Sequence, residues 1–269
     1  MTGPPIRTRI QKNKVIIYMK YQERVLAFVD ILGFSDIVGG TIDDGHENEE
    51  RTEIIYNLLK EAQDDLEKLN PGCQKPEDDF IVNQFSDSIV ISCLIAKEAG
   101  VLRILSYILF LCTTALQKGI LFRGVIVSGK LMHEEKIIFG PALVKAARME
   151  EKLAIYPRIV LDDEILEIAR TNLSKNIAKS TQLQLLKKTI KEDFDGLYYI
   201  SLTDGIQYIF GEEVARQVFI DALKDCINKM EERAKKNLSL RAKYSWLKKK
   251  CNNTFKKCWD TPLSTEKIK

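Results

Sequence analysis

The first guide to this chain is what it does without. Its six cysteines (Cys73, Cys93, Cys112, Cys226, Cys251 and Cys258) are scattered with no CxxC pair, so no zinc site is indicated. Two of them, Cys93 and Cys112, lie in apolar runs where any small hydrophobe would serve. The opening MTGPPIRTRIQKNK is polar and basic and lacks the apolar stretch of a signal peptide. The most apolar segment, Val101 to Leu116, is interrupted by Arg103 and is short for a bilayer. There is no internal repeat and no low-complexity tract. These absences lead us to expect a soluble protein of the reducing cytoplasm, with no membrane partner.

What is present is enough apolar material, 45% of 269 residues, to bury a substantial core. One main domain over residues 23–211 is expected, preceded by an N-terminal extension (1–22) and followed by a basic helical extension (212–269). Charge is divided unevenly between them. Residues 229–269 hold 13 Lys and Arg against 4 Asp and Glu, a surplus of +9, which leaves 28 against 34, or −6, for residues 1–228.

The order of elements follows from periodicity. Val25 to Val29 reads as a buried strand, and EERTEIIYNLLKEAQDDLEKLN places Ile54, Ile55, Leu58, Leu59, Ala62 and Leu66 at helical spacing before the stop at Pro71–Gly72. Two strand-like runs, Phe80 to Phe85 and Ser88 to Ser92, leave only Ser86 and Asp87 between them, which predicts a tight hairpin without the usual glycine. Residues 98–118 predict a buried helix ended by Gly119. LFRGVIVSGKL is a strand whose Gly124 and Gly129 allow close approach of a backbone or ligand, and IIFG is a short strand. Pro141 opens a helix over PALVKAARMEEKLA. RIVLD (158–162), DEILEIARTNL and GLYYISL (196–202) add a strand, a helix and a late strand, and residues 212–235 and 239–257 predict two long helices. The alternation β-α-β-β-α-β predicts an α+β sandwich with a ferredoxin-like core and extra C-terminal helices.

Two acidic residues stand out in that order. Asp30 follows the first buried strand, and Asp87 sits in the hairpin tip. Either one alone reads as a turn former or helix cap. If the two strands are neighbours, the carboxylates meet at one sheet edge as a pair of hard oxygen ligands, suited to Mg²⁺ or Mn²⁺ on a triphosphate.

Four segments, FVDILGFS, QFSDSIVIS, LFRGVIVSG and FGPALVKAARMEEKL, resemble in the same order the metal, hairpin, RxGIxxG and WGxxVNxAARMES motifs of the class III nucleotidyl cyclases. They span residues 24–162 and identify 23–211 as a catalytic domain of that kind. The resemblance implies two divalent cations, Mn²⁺ or Mg²⁺, held by Asp30 and Asp87 with the Ile31 carbonyl as an extra contact. In such enzymes one metal activates the ribose 3′-hydroxyl, which attacks the α-phosphorus while pyrophosphate leaves. Arg148 matches the arginine that stabilises the transition-state phosphate; apart from the motif it reads as a solvated helix residue or a partner of Glu150 or Glu151. Arg123 reads as structural or dimer-facing. The family's homodimer takes the aspartates from one subunit and the arginine from the other.

This chain departs from the family pattern at several places. Val144 replaces the ribose-positioning asparagine, with Lys145 beside it, and Ser86 replaces a glycine. The two base-reading positions fall on Asn83 and Ile137, so neither the adenine nor the guanine pair is present. Asn83 can donate and accept towards a uracil or cytosine edge, with Ile137 filling space. The chain thereby resembles the stand-alone bacterial pyrimidine cyclases of the Pycsar antiphage system, which make cyclic UMP or cyclic CMP for a separate effector that responds to the cyclic nucleotide. The expected activity is conversion of UTP, or else CTP, to the 3′,5′-cyclic monophosphate and pyrophosphate. The alternatives are a purine cyclase, or an inactive cyclase-like module that binds nucleotide or dimerises, to which Val144 points. The tail interleaves lysines with Trp246 and Phe255, as a nucleic-acid surface would. It reads better as a solvated helix face docking Leu240, Tyr244, Trp246 and Leu247 on the main domain. The triphosphate-binding lysine stays open among Lys187, Lys188 and Lys191.

Overall fold

The computed structural model describes residues 8–11, 14–17, 20–68, 79–134, 136–209, 213–235 and 237–258. A small antiparallel hairpin comes first, β1 (Thr8–Gln11) with β2 (Lys14–Ile17). The chain then enters β3 (Gln22–Ile31), whose residues 24–27 are wholly buried. After β3 come α1 (Phe34–Gly39), the short paired strands β4 (Ile42–Asp43) and β5 (His46–Glu47), and α2 (Glu49–Lys68). The Pro71–Gly72 stop expected after α2 lies outside the described residues.

The hairpin β6 (Ile81–Phe85) and β7 (Ser88–Leu94) leads into α3 (Gly100–Gln117), then β8 (Phe122–Glu134) and β9 (Ile137–Phe139). Next are α4 (Pro141–Leu153), β10 (Ile159–Leu161), α5 (Asp163–Thr171), α6 (Lys179–Thr189), β11 (Ile190–Glu192) and β12 (Tyr198–Ile200). Three helices close the described chain: α7 (Leu202–Ile209), α8 (Glu213–Ala234) and α9 (Leu238–Cys258).

The main sheet runs β11-β12-β10-β8-β3-β7-β6, with β9 paired to β8. Within it β3, β6, β7 and β8 stand in the order fourth-first-third-second, and β3-α2-β6-β7-α3-β8 is the ferredoxin-like βαββαβ unit. All pairings are antiparallel except β10 with β8. Helices α6 and α7, strand β11 and the N-terminal hairpin were not legible in the sequence pattern.

Because side chains alternate along β3, its odd and even residues serve different layers. Val25, Ala27, Val29 and Ile31 pack beneath α3 and α5 in the largest core. Leu26 packs with Val90, Val125, Val127 and Val160 against Ala142 and Ala146 of α4. Helix α3 has the length and composition of a membrane span, but 72% of it is buried inside the protein, so its apolarity is used by the core.

A third cluster joins α8 and α9 to the sheet through Phe219, Leu223, Ile227, Tyr244, Trp246 and Leu247, meeting Leu116, Leu121 and Tyr199. The apolar stripe expected on the tail thus docks on the main domain, with Leu240 partly buried at its edge.

One fully buried cation pins the sheet. Arg24 on β3 donates to Ser92 Oγ at 2.8 Å and Asp79 Oδ1 at 2.7 Å, and Ser92 Oγ lies 2.7 Å from His133 Nδ1. Burial and the Arg24 charge push His133 down to about 4, which keeps this imidazole neutral.

Candidate functional site

Asp30 is an even-numbered residue near the end of β3, so it faces the layer of α4. Its backbone pairs with Ser88 on β7 and with Arg123 on β8. That register is fixed by Gly124, where an added Cβ would stand 2.3 Å from the Phe28 carbonyl oxygen and 2.8 Å from Val29 Cα. The glycine admits another backbone, not a ligand.

The β6–β7 connection is the two-residue turn Ser86–Asp87, with Phe85 opposite Ser88. Ser86 takes the glycine-like φ of 56°, and Ile31 N–H donates to the Asp87 carbonyl at 3.2 Å, binding the turn to the end of β3. Ile31 itself is buried there at 2% exposure. Asp30 and Asp87 therefore meet, close enough for Asp87 to act on the Asp30 carboxyl.

Three further groups complete the cluster. Ser88 Oγ donates to Asp30 Oδ1 at 3.3 Å, and Arg123 Nη2 donates to Asp30 Oδ2 at 3.3 Å. The same Arg123 nitrogen lies 3.0 Å from Glu150 Oε1, outside hydrogen-bond geometry, so this contact is Coulombic and leaves that oxygen without a hydrogen-bond partner among the described residues.

Burial, followed by the hydrogen bond and charge of Asp87, raises the Asp30 carboxyl above its ordinary range, with Arg123 opposing. Burial raises Glu150 too; Arg123 again opposes, while Asp30, Glu151 and Asp87 add to the rise. The arrangement is a half-buried excess of carboxylate over one guanidinium, a charge imbalance that a cation would offset. Among the described residues no three His, Cys, Asp or Glu form a ready metal cage. Two hard carboxylates fit an ion that keeps several ligands from water or substrate phosphate, as Mg²⁺ does.

Arg148 lies elsewhere. Ala142, Ala146 and Glu150 recur every four residues along α4 and are the buried stripe of that helix, so Arg148, two residues before Glu150, points away from the carboxylates. It is exposed and makes no ion pair among the described residues, lining an open groove with Tyr21, Gly140, Val144, Lys145 and Met149. Val144 is 50% exposed and offers no polar atom, whereas Lys145 is held by Asp162. Ile137 stands 65% exposed on β9. Asn83 lies on β6 across from Val90, and its Nδ2 is buried without a hydrogen-bond partner among the described residues. Strands β7 and β3 separate β6 from β8, so one chain does not bring Asn83 and Ile137 together.

Sequence reasoning paired Asp30 with Asp87 and read Arg123 as structural or dimer-facing; β8 places Arg123 directly opposite Asp30. Glu150 was missed as a member, and its signal was the four-residue repeat from Ala142.

No family model and no curated protein matches the sequence. Solved structures similar to this chain include three cyclases. One is the adenylyl cyclase CyaB from P. aeruginosa, 14% identical, covering 68% of this chain and 95% of that one at a TM-score of 0.45. Another is the monomeric guanylyl cyclase domain of the RhoGC fusion protein from the aquatic fungus Blastocladiella emersonii, 11% identical over 68% and 96% at 0.44. The third is a bacterial light-regulated adenylyl cyclase, 13% identical over 76% and 100% at 0.43.

Proposed function

We propose that this protein is a metal-dependent nucleotidyl cyclase acting on a pyrimidine nucleoside triphosphate. The observation that carries the reading is the meeting of Asp30 and Asp87 beside Arg123, in a cluster with carboxylate to spare. Asp30 and Asp87 would hold the divalent cations, Mn²⁺ or Mg²⁺, with the Ile31 carbonyl beside them. Bound there, such ions supply charge neutralisation on the phosphates and lower the pKa of a coordinated hydroxyl.

The chain's own residues do the rest. Ser88 and Arg123 fix the Asp30 carboxylate from either side, so that little rearrangement accompanies substrate binding. The reaction forms a bond from the ribose 3′-oxygen to the α-phosphorus and breaks the bond from that phosphorus to pyrophosphate, with loss of the hydroxyl proton. Arg148 stabilises the phosphate in that transition state. Because α4 turns Arg148 away from its own carboxylates, it serves the site of a second copy, in a homodimer with two shared sites.

Asn83, whose amide N–H has no partner among the described residues, donates to an acceptor on the base, and Val144 and Ile137, which one chain does not bring to Asn83, complete the pocket through apolar contact in the homodimer. UTP is the first choice of substrate and CTP the second. The product is a second messenger in antiphage defence, read by a separate effector in the cytoplasm. The exposed apolar Val144 at a sugar-positioning place favours one alternative, a catalytically silent nucleotide-binding or dimerisation module.

Incubation of the purified dimer with each of the four NTPs and Mn²⁺, with mass identification of any cyclic product, tests the proposal. A cyclic pyrimidine nucleotide supports it, a cyclic purine nucleotide keeps the enzyme and corrects the base, and no product from any NTP leaves the silent module. Asp30→Ala mixed with Arg148→Ala should regain part of the activity that each variant lacks alone.

A further inference from the structure

On the other face of the sheet from the carboxylate cluster, α3 and α6 border a cavity of about 730 Å³. Asp30 belongs to the even-numbered side of β3, under α4, whereas α3 packs on Val25, Ala27 and Val29 of the odd-numbered side. Arg103, Ser106, Tyr107 and Phe110 stand at i, i+3, i+4 and i+7 of α3 and form a single stripe along the space. Helix α6 contributes Thr181, Gln182 and Leu185.

The connection from α5 to α6 walls the cavity, and two side-chain amides fix it. Gln182, 2% exposed, accepts the Ser174 N–H at 2.7 Å and donates to the Ser174 and Ile177 carbonyls at 2.8 and 2.7 Å. Asn172 accepts the Ala99 N–H at 2.8 Å and donates to the Ile95 carbonyl. Ala99, which also borders the space, is thereby held at a left-handed φ of 56°, backbone strain of the kind stored at ligand clamps. The wall is built before any ligand arrives, so little ordering accompanies binding.

The chemistry of the lining selects the ligand. Phe80 and Tyr107, which meet edge to face at 5.7 Å, combine with Phe110 and Leu185 into a chiefly apolar surface. Ile177 stands 53% exposed at its rim. Two charges border the space and they are opposite in sign: the Arg103 guanidinium lies 5.2 Å over the Phe80 ring, and the Glu98 carboxylate accepts the Lys175 N–H. Such a balance offers an ion no net attraction, while apolar walls charge it the full loss of its hydration. The volume lies within the roughly 300–1,000 Å³ of small-molecule sites.

We infer that this cavity binds an uncharged, ring-bearing small molecule, its rings against Phe80, Tyr107 and Phe110 and one polar group at the hydroxyls of Ser106 and Thr181. The inference is independent of the cyclase reading.

Fluorescence titration of the full-length protein with two probes tests it: uncharged N-phenylnaphthylamine, and anilinonaphthalene sulfonate, which has the same rings and an added anion. The uncharged probe should bind with a Kd on the order of 10 μM, and the sulfonate at least about tenfold more weakly. Ser106→Trp fills the cavity from an exposed helix position where Trp and Ser have similar propensity, and should weaken the uncharged probe at least about tenfold. Ile177→Asp, which puts a charge at the rim, should weaken it about threefold or more. Ser245→Trp, exposed on α9, should bind like wild type. No binding of the uncharged probe, or binding that Ser106→Trp leaves unchanged, overturns the inference; should that variant fail to fold, the Ile177→Asp result decides alone. A sulfonate that binds as tightly as the uncharged probe overturns it as well. Probe bound per chain that falls as protein concentration rises means that a second copy covers the cavity, and it too overturns the inference.

Discussion

Two arginine-centred clusters sit on adjacent strands of one sheet and differ in every electrostatic respect. Arg123 lies on β8, and Arg158 directly precedes β10; the Gly124 N–H donates to the Arg158 carbonyl at 3.2 Å. Arg158 is 3% exposed and pairs with both Asp193 and Asp195. Lys250 adds a second cation at 2.6 Å from Asp193 Oδ1, and Trp246 Nε1 donates to Asp193 Oδ2 at 2.7 Å. The rings of Tyr156, Tyr199 and Trp246 surround the guanidinium at 5.2 to 5.9 Å. There two cations meet two carboxylates; at Arg123 one cation pairs with two, and a third, Asp87, adjoins Asp30.

The carboxyl groups register that difference. At Asp193 burial pushes upward, but Lys250, the Phe194 N–H and Trp246 outweigh it and the group is lowered. Hydrogen bonds from Arg158 lower Asp195. At the other cluster burial, reinforced by neighbouring carboxylates, raises both Asp30 and Glu150. The balanced cluster is a clamp that ties α9 to the sheet. The unbalanced one bears a cost that a bound cation would relieve.

The largest expected effect breaks the unbalanced cluster. On the proposed reading Asp30→Asn removes a metal ligand, and cyclic product formation should fall on the order of a thousandfold, comparable to losing a major electrostatic group in an active site. The same change should leave metal-free thermal stability equal or higher, and Mn²⁺ should no longer raise the melting temperature. The direction follows from linkage: with its carboxyl raised when folded, Asp30 takes up a proton in the native chain before the unfolded one as pH falls toward 3.8, so its ionisation opposes folding at neutral pH. Asp195, lowered when folded, contributes stability above 3.8 that is lost as pH drops through its folded value. Asp195→Asn should therefore destabilise at pH 7. Matching melting-temperature shifts in the two variants would erase the distinction between the clusters.

Breaking the balanced cluster comes next. Arg158→Ala breaks a buried ion pair and leaves Asp193 to Lys250 and Trp246, so it should cost up to about 3–5 kcal/mol of unfolding free energy, measured by denaturant titration. A loss under about 1 kcal/mol would place this pair with ordinary surface salt bridges.

The two clusters were unequally legible in the sequence. Asp30 and Asp87 announced themselves because each sits at the end of a strongly patterned strand and only two residues separate β6 from β7. Arg123 was named and set aside, because its place opposite Asp30 depends on the cross-strand register, which no local pattern encodes. The Arg158 clamp was invisible, since its members come from four separate stretches between Tyr156 and Lys250. Helix α6 escaped because KSTQLQLLKKT presents a weak apolar stripe. The βαββαβ order was readable throughout, because it rests on long runs whose period is unambiguous.

The smallest effect concerns the turn that aims Asp87. Ser86 holds φ at 56°, a left-handed conformation that costs an L-residue about 1–2 kcal/mol and a glycine nearly nothing. Ser86→Gly should raise stability by up to about 1 kcal/mol, part of the relief being offset by the greater freedom of glycine in the unfolded chain. On the proposed reading, cyclase activity should stay within about twofold, the scale of a change that leaves buried contacts alone. The hydrogen bond from Ile31 N–H to the Asp87 carbonyl holds the turn against β3 whichever residue occupies position 86. Activity that falls as stability rises would mean that the backbone strain at Ser86, and not that hydrogen bond, aims the second carboxylate.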